Sequence, residues 1–71
     1  MHEQITVKST DGTEVNLLPS EDGTGTIAII FAPTQDLIQR TIMDLADQYP
    51  IVQFTRAKFH NGCWHATGVV R

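Results

Sequence analysis

The residues best equipped for chemistry lie close together near the C-terminal end, in the run His60-Asn61-Gly62-Cys63-Trp64-His65. Imidazole and thiolate groups are zinc ligands, and a cysteine beside a histidine can act as an activated nucleophile. A structural zinc site takes four ligands, whereas this run supplies three, and the nearby Lys58 repels a cation. A short hairpin also offers Cys63 no oxyanion hole and no cleft that excludes water. We therefore predict no metal, no cofactor and no catalytic residue, and we expect Cys63 to be a free thiol.

The charges of the chain are unevenly distributed along its 71 residues. Residues 1–47 contain all eight acidic residues and two of the five basic ones, for a net charge of −6. Residues 48–71 contain Arg56, Lys58, Arg71 and no acid, for a net charge of +3. Such an asymmetry indicates a contact with a charged partner, unless the fold brings the two halves together and averages it out.

The basic residues belong to a predicted hairpin, in which a fourth strand at Ile51–Phe59 and a fifth at Cys63–Val70 flank the turn Asn61-Gly62. Asn-Gly is the strongest sequence signal for a two-residue type I′ hairpin turn. Counting outward from this turn pairs His60 with Cys63, Phe59 with Trp64, Lys58 with His65, Ala57 with Ala66, Arg56 with Thr67 and Phe54 with Val69.

Because side chains alternate between the faces of a strand, this register predicts two different surfaces. The buried face is expected to carry Phe59, Trp64, Ala57, Ala66, Ile51 and Val70. The other face is expected to present a partner-binding surface, which consists of Arg56, Lys58, His60, His65 and Phe54. In the alternative interpretation this is an ordinary solvated face, neutralised by Glu3 or Glu14 from a neighbouring strand.

The N-terminal half predicts three further strands. Ile5–Lys8 and Thr13–Leu17 alternate between apolar and polar residues around the turn at Asp11-Gly12, which predicts a hairpin. Its buried residues are expected to be Ile5, Val7, Val15 and Leu17. A third strand, 26–31, is almost continuously apolar, which is typical of a central strand that is covered on both faces or lies at a contact surface.

One helix is predicted between the third and fourth strands. Thr34 is the expected N-cap, and Asp36 places negative charge in the first turn, where the helix dipole favours it. Apolar residues recur at helical spacing as far as Tyr49, and Pro50 ends the helix. The order β-β-β-α-β-β predicts an α+β fold, with an antiparallel sheet of about five strands and the helix packed on one face. The length predicts a single domain over residues 1–71.

Composition excludes several classes of protein. One cysteine excludes an intramolecular disulfide framework. The longest apolar run, 27–32, falls far short of the roughly 20 residues that a membrane span needs. The start at Met1–Gln4 has neither the basic nor the apolar part of a secretory signal. We therefore expect a soluble cytoplasmic protein in a reducing compartment.

These observations favour a small protein-binding module that is not an enzyme. A chain of this length buries only about 60% of its unfolded surface, which leaves little room for a deep pocket beside a core. The expected role is that of an inhibitor or adaptor, and phage-encoded inhibitors of host enzymes offer an analogy of size and fold alone. A homodimer is expected to form through an edge strand or through the Ile27–Phe31 strand.

Two alternatives involve nucleic acid. In the first, the face with Arg56, Lys58 and His65 binds nucleic acid directly, although the acidic isoelectric point of about 5.3 disfavours this. In the second, the acidic helix face and the Glu21-Asp22 loop mimic nucleic acid towards a basic protein.

Overall fold

The computed structural model describes residues 4–20, 25–49 and 52–70, and it confirms the α+β prediction. Six strands form one antiparallel sheet: β1 (Ile5–Lys8), β2 (Glu14–Pro19), β3 (Thr26–Ala32), β4 (Val52–Phe54), β5 (Lys58–His60) and β6 (Cys63–Val70). The helix α1 (Gln35–Gln48) lies between β3 and β4 in the chain. The spatial order is β1-β2-β3-β6-β4, with β5 also paired to β6, so the apolar third strand is central as predicted.

The helix begins where the sequence predicts. Thr34 is the N-cap, and its Oγ1 accepts a hydrogen bond from the backbone N–H of Leu37 at 3.3 Å. The inward side of the helix buries Ile38 and Leu45 and packs against β3, β4 and β6. Among the described residues no helix has the length and apolar character needed to cross a membrane.

The core lies between α1 and the sheet. Its buried residues are small or aliphatic: Ala28, Ile30, Ala32, Ile38, Leu45, Ala66 and Val70. Alternate residues of β3 and β6 face the helix, and alanine at three of these positions lets α1 approach the sheet closely.

The first hairpin has the predicted turn but is less buried than predicted. The Ser9–Thr13 turn is closed by the backbone N–H of Ser9, which donates to the carbonyl of Thr13 at 2.8 Å. Gly12 has a φ of +94°, which a residue with a side chain rarely adopts. Val15 and Leu17 pack against the core, whereas Ile5 and Val7 are 53% and 51% exposed. Their prediction as buried residues was wrong because α1 covers β3, β4 and β6 and does not extend over β1.

The second hairpin has the predicted register only near its turn. Asn61 and Gly62 both have positive φ, 51° and 83°, as a type I′ turn requires. The structure confirms three predicted pairs: His60–Cys63, Phe59–Trp64 and Lys58–His65. The rings of Phe59 and Trp64 meet edge to face with centroids 5.6 Å apart. The prediction that Phe59 is buried was wrong, because α1 does not pack against β5 and Phe59 is 61% exposed.

Beyond these pairs the predicted register was wrong, because the expected fourth strand is interrupted by a bulge. Three residues, 55–57, lie opposite only two residues of β6, between the pairs Phe54–Gly68 and Lys58–His65. Thr55 anchors the bulge, since its N–H donates to the carbonyl of Thr67 at 2.9 Å and its Oγ1 accepts from the N–H of Thr67 at 3.3 Å. The extra residue shifts β4 by one position and turns its side chains to the opposite face. Ile51, which was predicted on the buried face, lies outside the described residues.

Candidate functional site

The sheet face opposite the helix is the candidate site, and we call it the open face. It consists of three rows of side chains that cross the sheet, each set by the pairing of neighbouring strands. The first row is Lys8, Glu14, Phe31, His65 and Lys58. The middle row is Thr6, Asn16, Ile29 and Thr67. The distal row is Leu18, Ile27, Val69 and Gln53.

Large apolar side chains occupy the centre of the open face. They come from β2, β3 and β6, and two of them are substantially exposed, Phe31 at 36% and Val69 at 41%. The other three are half-buried: Leu18, Ile27 and Ile29. Because contiguous apolar side chains on a solvated face are unfavourable, such a cluster is typical of a contact surface.

A hollow of about 490 Å³ lies beside the distal row, at the β4 side of the open face. Its lining includes Ile27, Val69, Gln53 and Thr67 and is mostly apolar. The bulge contributes to the hollow, because Thr55 also lines it. The open face therefore contains a hollow that a protruding apolar side chain of a partner can fill.

Aromatic rings mark the opposite end of the open face. The rings of Phe31 and His65 are tilted with centroids 6.2 Å apart, and those of His65 and His60 meet edge to face at 6.1 Å.

Cys63 pairs with His60 across the hairpin, and its Sγ donates to the carbonyl of His60 at 3.7 Å. Its thiol is free, as expected from the sequence. Within residues 4–20, 25–49 and 52–70, no three metal-ligating side chains are grouped closely enough to hold an ion.

The first row has an ion pair at one end, formed by Lys8 and Glu14, and a single lysine, Lys58, at the other. Glu14 lies 3.7 Å from the Nζ of Lys8 and accepts a hydrogen bond from the side-chain amide of Asn16 at 3.1 Å. Two strands, β3 and β6, separate Glu14 from Lys58 along the row. In the described part of the chain, Lys58 forms no ion pair. Glu14 is therefore bound to Lys8 and leaves the Lys58 end of the row positively charged, whereas Glu3 lies outside the described residues.

The structure brings together three of the five predicted partner-binding residues. Lys58, His60 and His65 share the open face near the turn, as the register predicted. Phe54 was placed on the wrong face, because the bulge pairs it with Gly68 rather than Val69. Its ring packs against the core on the helix side.

Arg56 also differs from its predicted position, because it lies in the bulge and has no pairing partner in β6. It lines a groove of about 570 Å³ between α1 and the bulge. The helix side of this groove includes Gln35, Gln39 and Ile42. The predicted basic surface is thus divided, with Arg56 beside the helix and Lys58 on the open face.

Sequence analysis named Phe31 only within the Ile27–Phe31 strand as a dimer contact and did not place it on the partner-binding surface. The usable signal was the alternation within β3, where the small Ala28 and Ala32 mark the side that a helix can approach closely. Phe31 has the opposite parity and must therefore face away from the helix. The acidic loop residues Glu21 and Asp22 lie outside the described residues.

Comparisons of the chain with protein-family models, with curated proteins and with solved structures each found no match.

Proposed function

We propose that this protein is a small, non-enzymatic protein-binding module, and that its open face is the surface that contacts the partner. The observation that carries this proposal is the cluster of five large apolar side chains on a sheet face against which no described helix packs. The buried core lies on the helix side of the sheet, so the apolar residues of the open face are not part of it. The apolar residues of the open face are therefore explained by a contact outside the fold.

The border of the open face supports a protein as the partner. Lys58, His60 and His65 lie at one end, and polar side chains such as Thr6, Asn16 and Gln53 surround the apolar centre. An apolar centre with a polar rim is the usual arrangement of protein interfaces. A role as an inhibitor or adaptor in a reducing, cytoplasmic compartment fits the free thiol of Cys63 and the small size of the module.

The proposal is tested by capturing partners on immobilised protein from the cells that produce it. The double variant Phe31→Ser, Val69→Ser removes the two most exposed apolar side chains of the open face. Met43→Ser is the matched control, because Met43 is 71% exposed on the helix. We expect wild type and Met43→Ser to retain the same partners and the double variant to lose them. Equal capture by all three proteins would contradict the proposal.

Binding of single-stranded nucleic acid is a second candidate, favoured by one observation. Phe31 and His65 place two neighbouring rings on the open face beside Lys58, and bases stack on such rings. A fluorescent oligothymidine measured by anisotropy tests this candidate. Binding that weakens steeply between about 50 mM and about 200 mM salt and is lost in Phe31→Ser would support nucleic acid over protein.

A further inference from the structure

The open face is suited to a second copy of the same chain. This inference rests on the proposed function and names the partner. Its starting point is the size of the protein, since a 71-residue domain has a small core and gains stability when a partner covers more of its apolar surface.

Among the described elements, the surfaces available for self-association are the open face, the β1 edge and the opposite edge, where β4 and β5 have only three residues each. The β1 edge has four residues, about 13 Å of strand, and pairing it buries too little surface for a specific interface by itself. Four strand positions of the open face cover about 19 Å by about 20 Å. Two such faces bury about 760 Å² before the relief of the side chains is counted, which approaches the roughly 1,000 Å² that a specific interface needs. The open face is therefore the better dimer surface.

The charged residues of the first row favour one arrangement of the two copies over another. Two stacked sheets related by a two-fold axis parallel to the strands place each row over the same row of the second copy. If the axis passes over β3, Lys8 faces Lys58 of the second copy, which is repulsive. If it passes between β3 and β6, Glu14 faces Lys58 of the second copy, and Phe31 faces His65 of the second copy.

The two-fold axis between β3 and β6 also brings complementary shapes together in the distal row. It places Ile27 opposite Val69 of the second copy and Leu18 opposite Gln53 of the second copy. Val69 and Gln53 line the hollow of about 490 Å³, so Leu18 and Ile27 of one copy project towards the hollow of the other. By symmetry this happens twice, which makes the interface self-complementary.

We propose that this protein forms a homodimer in which two open faces stack, with Glu14 of each copy facing Lys58 of the other. The first test is sedimentation of the purified full chain from about 1 μM to about 1 mM, a range that covers weak dimers. We expect a reversible monomer–dimer equilibrium. A monomer at all concentrations overturns the proposal, while partner capture that depends on Phe31 and Val69 would leave the proposed function intact.

The second test reverses one charge at a time. In Glu14→Lys, two lysines meet at both symmetric positions, and in Lys58→Glu two carboxylates meet. Each variant alone is therefore expected to raise the dimer dissociation constant by about tenfold. Mixing the two variants forms a heterodimer in which both positions pair a lysine with a glutamate, so an affinity close to that of wild type returns. An effect within one chain, such as loss of the Lys8–Glu14 pair, would not be rescued by mixing.

Asp47→Lys is the matched control, because it causes the same change of net charge on the exposed side of the helix. Alone it should dimerise as wild type does, and mixed with Lys58→Glu it should restore less affinity than Glu14→Lys. Hydrogen exchange then distinguishes the two surfaces. Protection of the β1 backbone amides on dimerisation, with no rescue in the mixture, would show an edge-strand dimer and overturn the proposal.

Discussion

On the central strand β3, the side chains that face the helix are smaller than those that face solvent. Ala28, Ile30 and Ala32 point towards α1 and are almost fully buried, whereas Ile27, Ile29 and Phe31 lie on the open face. A domain that needed only to fold would place its larger apolar residues inward, where burial stabilises it most. The helix side is therefore the closely packed side of β3, and the larger side chains on the other side support the proposal that the open face contacts another molecule.

The largest difference in stability between the two faces is expected when neighbouring residues of β3 are truncated. Ile30→Ala leaves a cavity at a fully buried position and should lower the free energy of unfolding by about 2–5 kcal/mol. Ile29→Ala removes a side chain that is half-buried on the open face and should cost about 1 kcal/mol or less. Urea denaturation at about 1 μM, a concentration at which a weak dimer dissociates, measures both. Equal losses would mean that the open face contributes to the core.

Adding a methyl group on the helix side should have the next largest effect. A Cβ at Gly68 would meet the carbonyl oxygen of Gln53 and would lie 2.6 Å from Cγ of Phe54. The Gly68→Ala variant must therefore displace β4, and we expect a loss of about 1–3 kcal/mol in the free energy of unfolding. Gly62→Ala is a useful comparison, because nothing lies within 4 Å of its Cβ and its cost comes from the positive φ. A Gly68→Ala variant as stable as wild type would contradict the close contact between β4 and β6.

Loss of the helix cap should affect the helix side alone. Thr34→Ala removes the hydroxyl that accepts from the N–H of Leu37, which typically costs about 1 kcal/mol. Thermal unfolding should show this loss, while dimerisation or partner capture by the open face remains as in wild type. If Thr34→Ala abolished binding without unfolding the protein, the helix rather than the open face would be implicated.

The smallest effect is expected in the β1–β2 turn, which belongs to neither face. Asp11 accepts a hydrogen bond from the N–H of Thr13 at 2.9 Å, and this bond lowers the pKa of its carboxyl. The stabilisation is complete above the pKa of unfolded aspartate, about 4, and is lost as pH falls through the lowered folded value. Asp11→Asn keeps an acceptor without the charge, so its melting temperature should be slightly below that of wild type at neutral pH. The difference should shrink as the pH falls through the lowered pKa of Asp11, and a constant difference across the range would mean that the charge plays no part.

Several features were predictable because they depend on local sequence. The Asn61-Gly62 turn, the Thr34 cap and the alternation of the strands each act within a few residues, so the fold class and the three pairs nearest the turn were predicted and confirmed. The bulge at residues 55–57 was not predictable in this way. It carries no glycine or proline signal, and its extra residue is accommodated only by the pairing with β6 and the packing of Phe54 against the core.

The residues of the candidate site also fall into two groups, those placed by local sequence and those placed by tertiary packing. Local pattern determined that Lys58, His60 and His65 share a face, because they lie within a few residues of one tight turn. Tertiary structure decided that Phe54 and Arg56 leave that face and that Phe31 joins it. The reason is that a side chain's face depends on register, and register far from a turn is set by packing between distant segments. The position of α1 likewise follows from its packing against β3, β4 and β6, and that position determines which face of the sheet stays open.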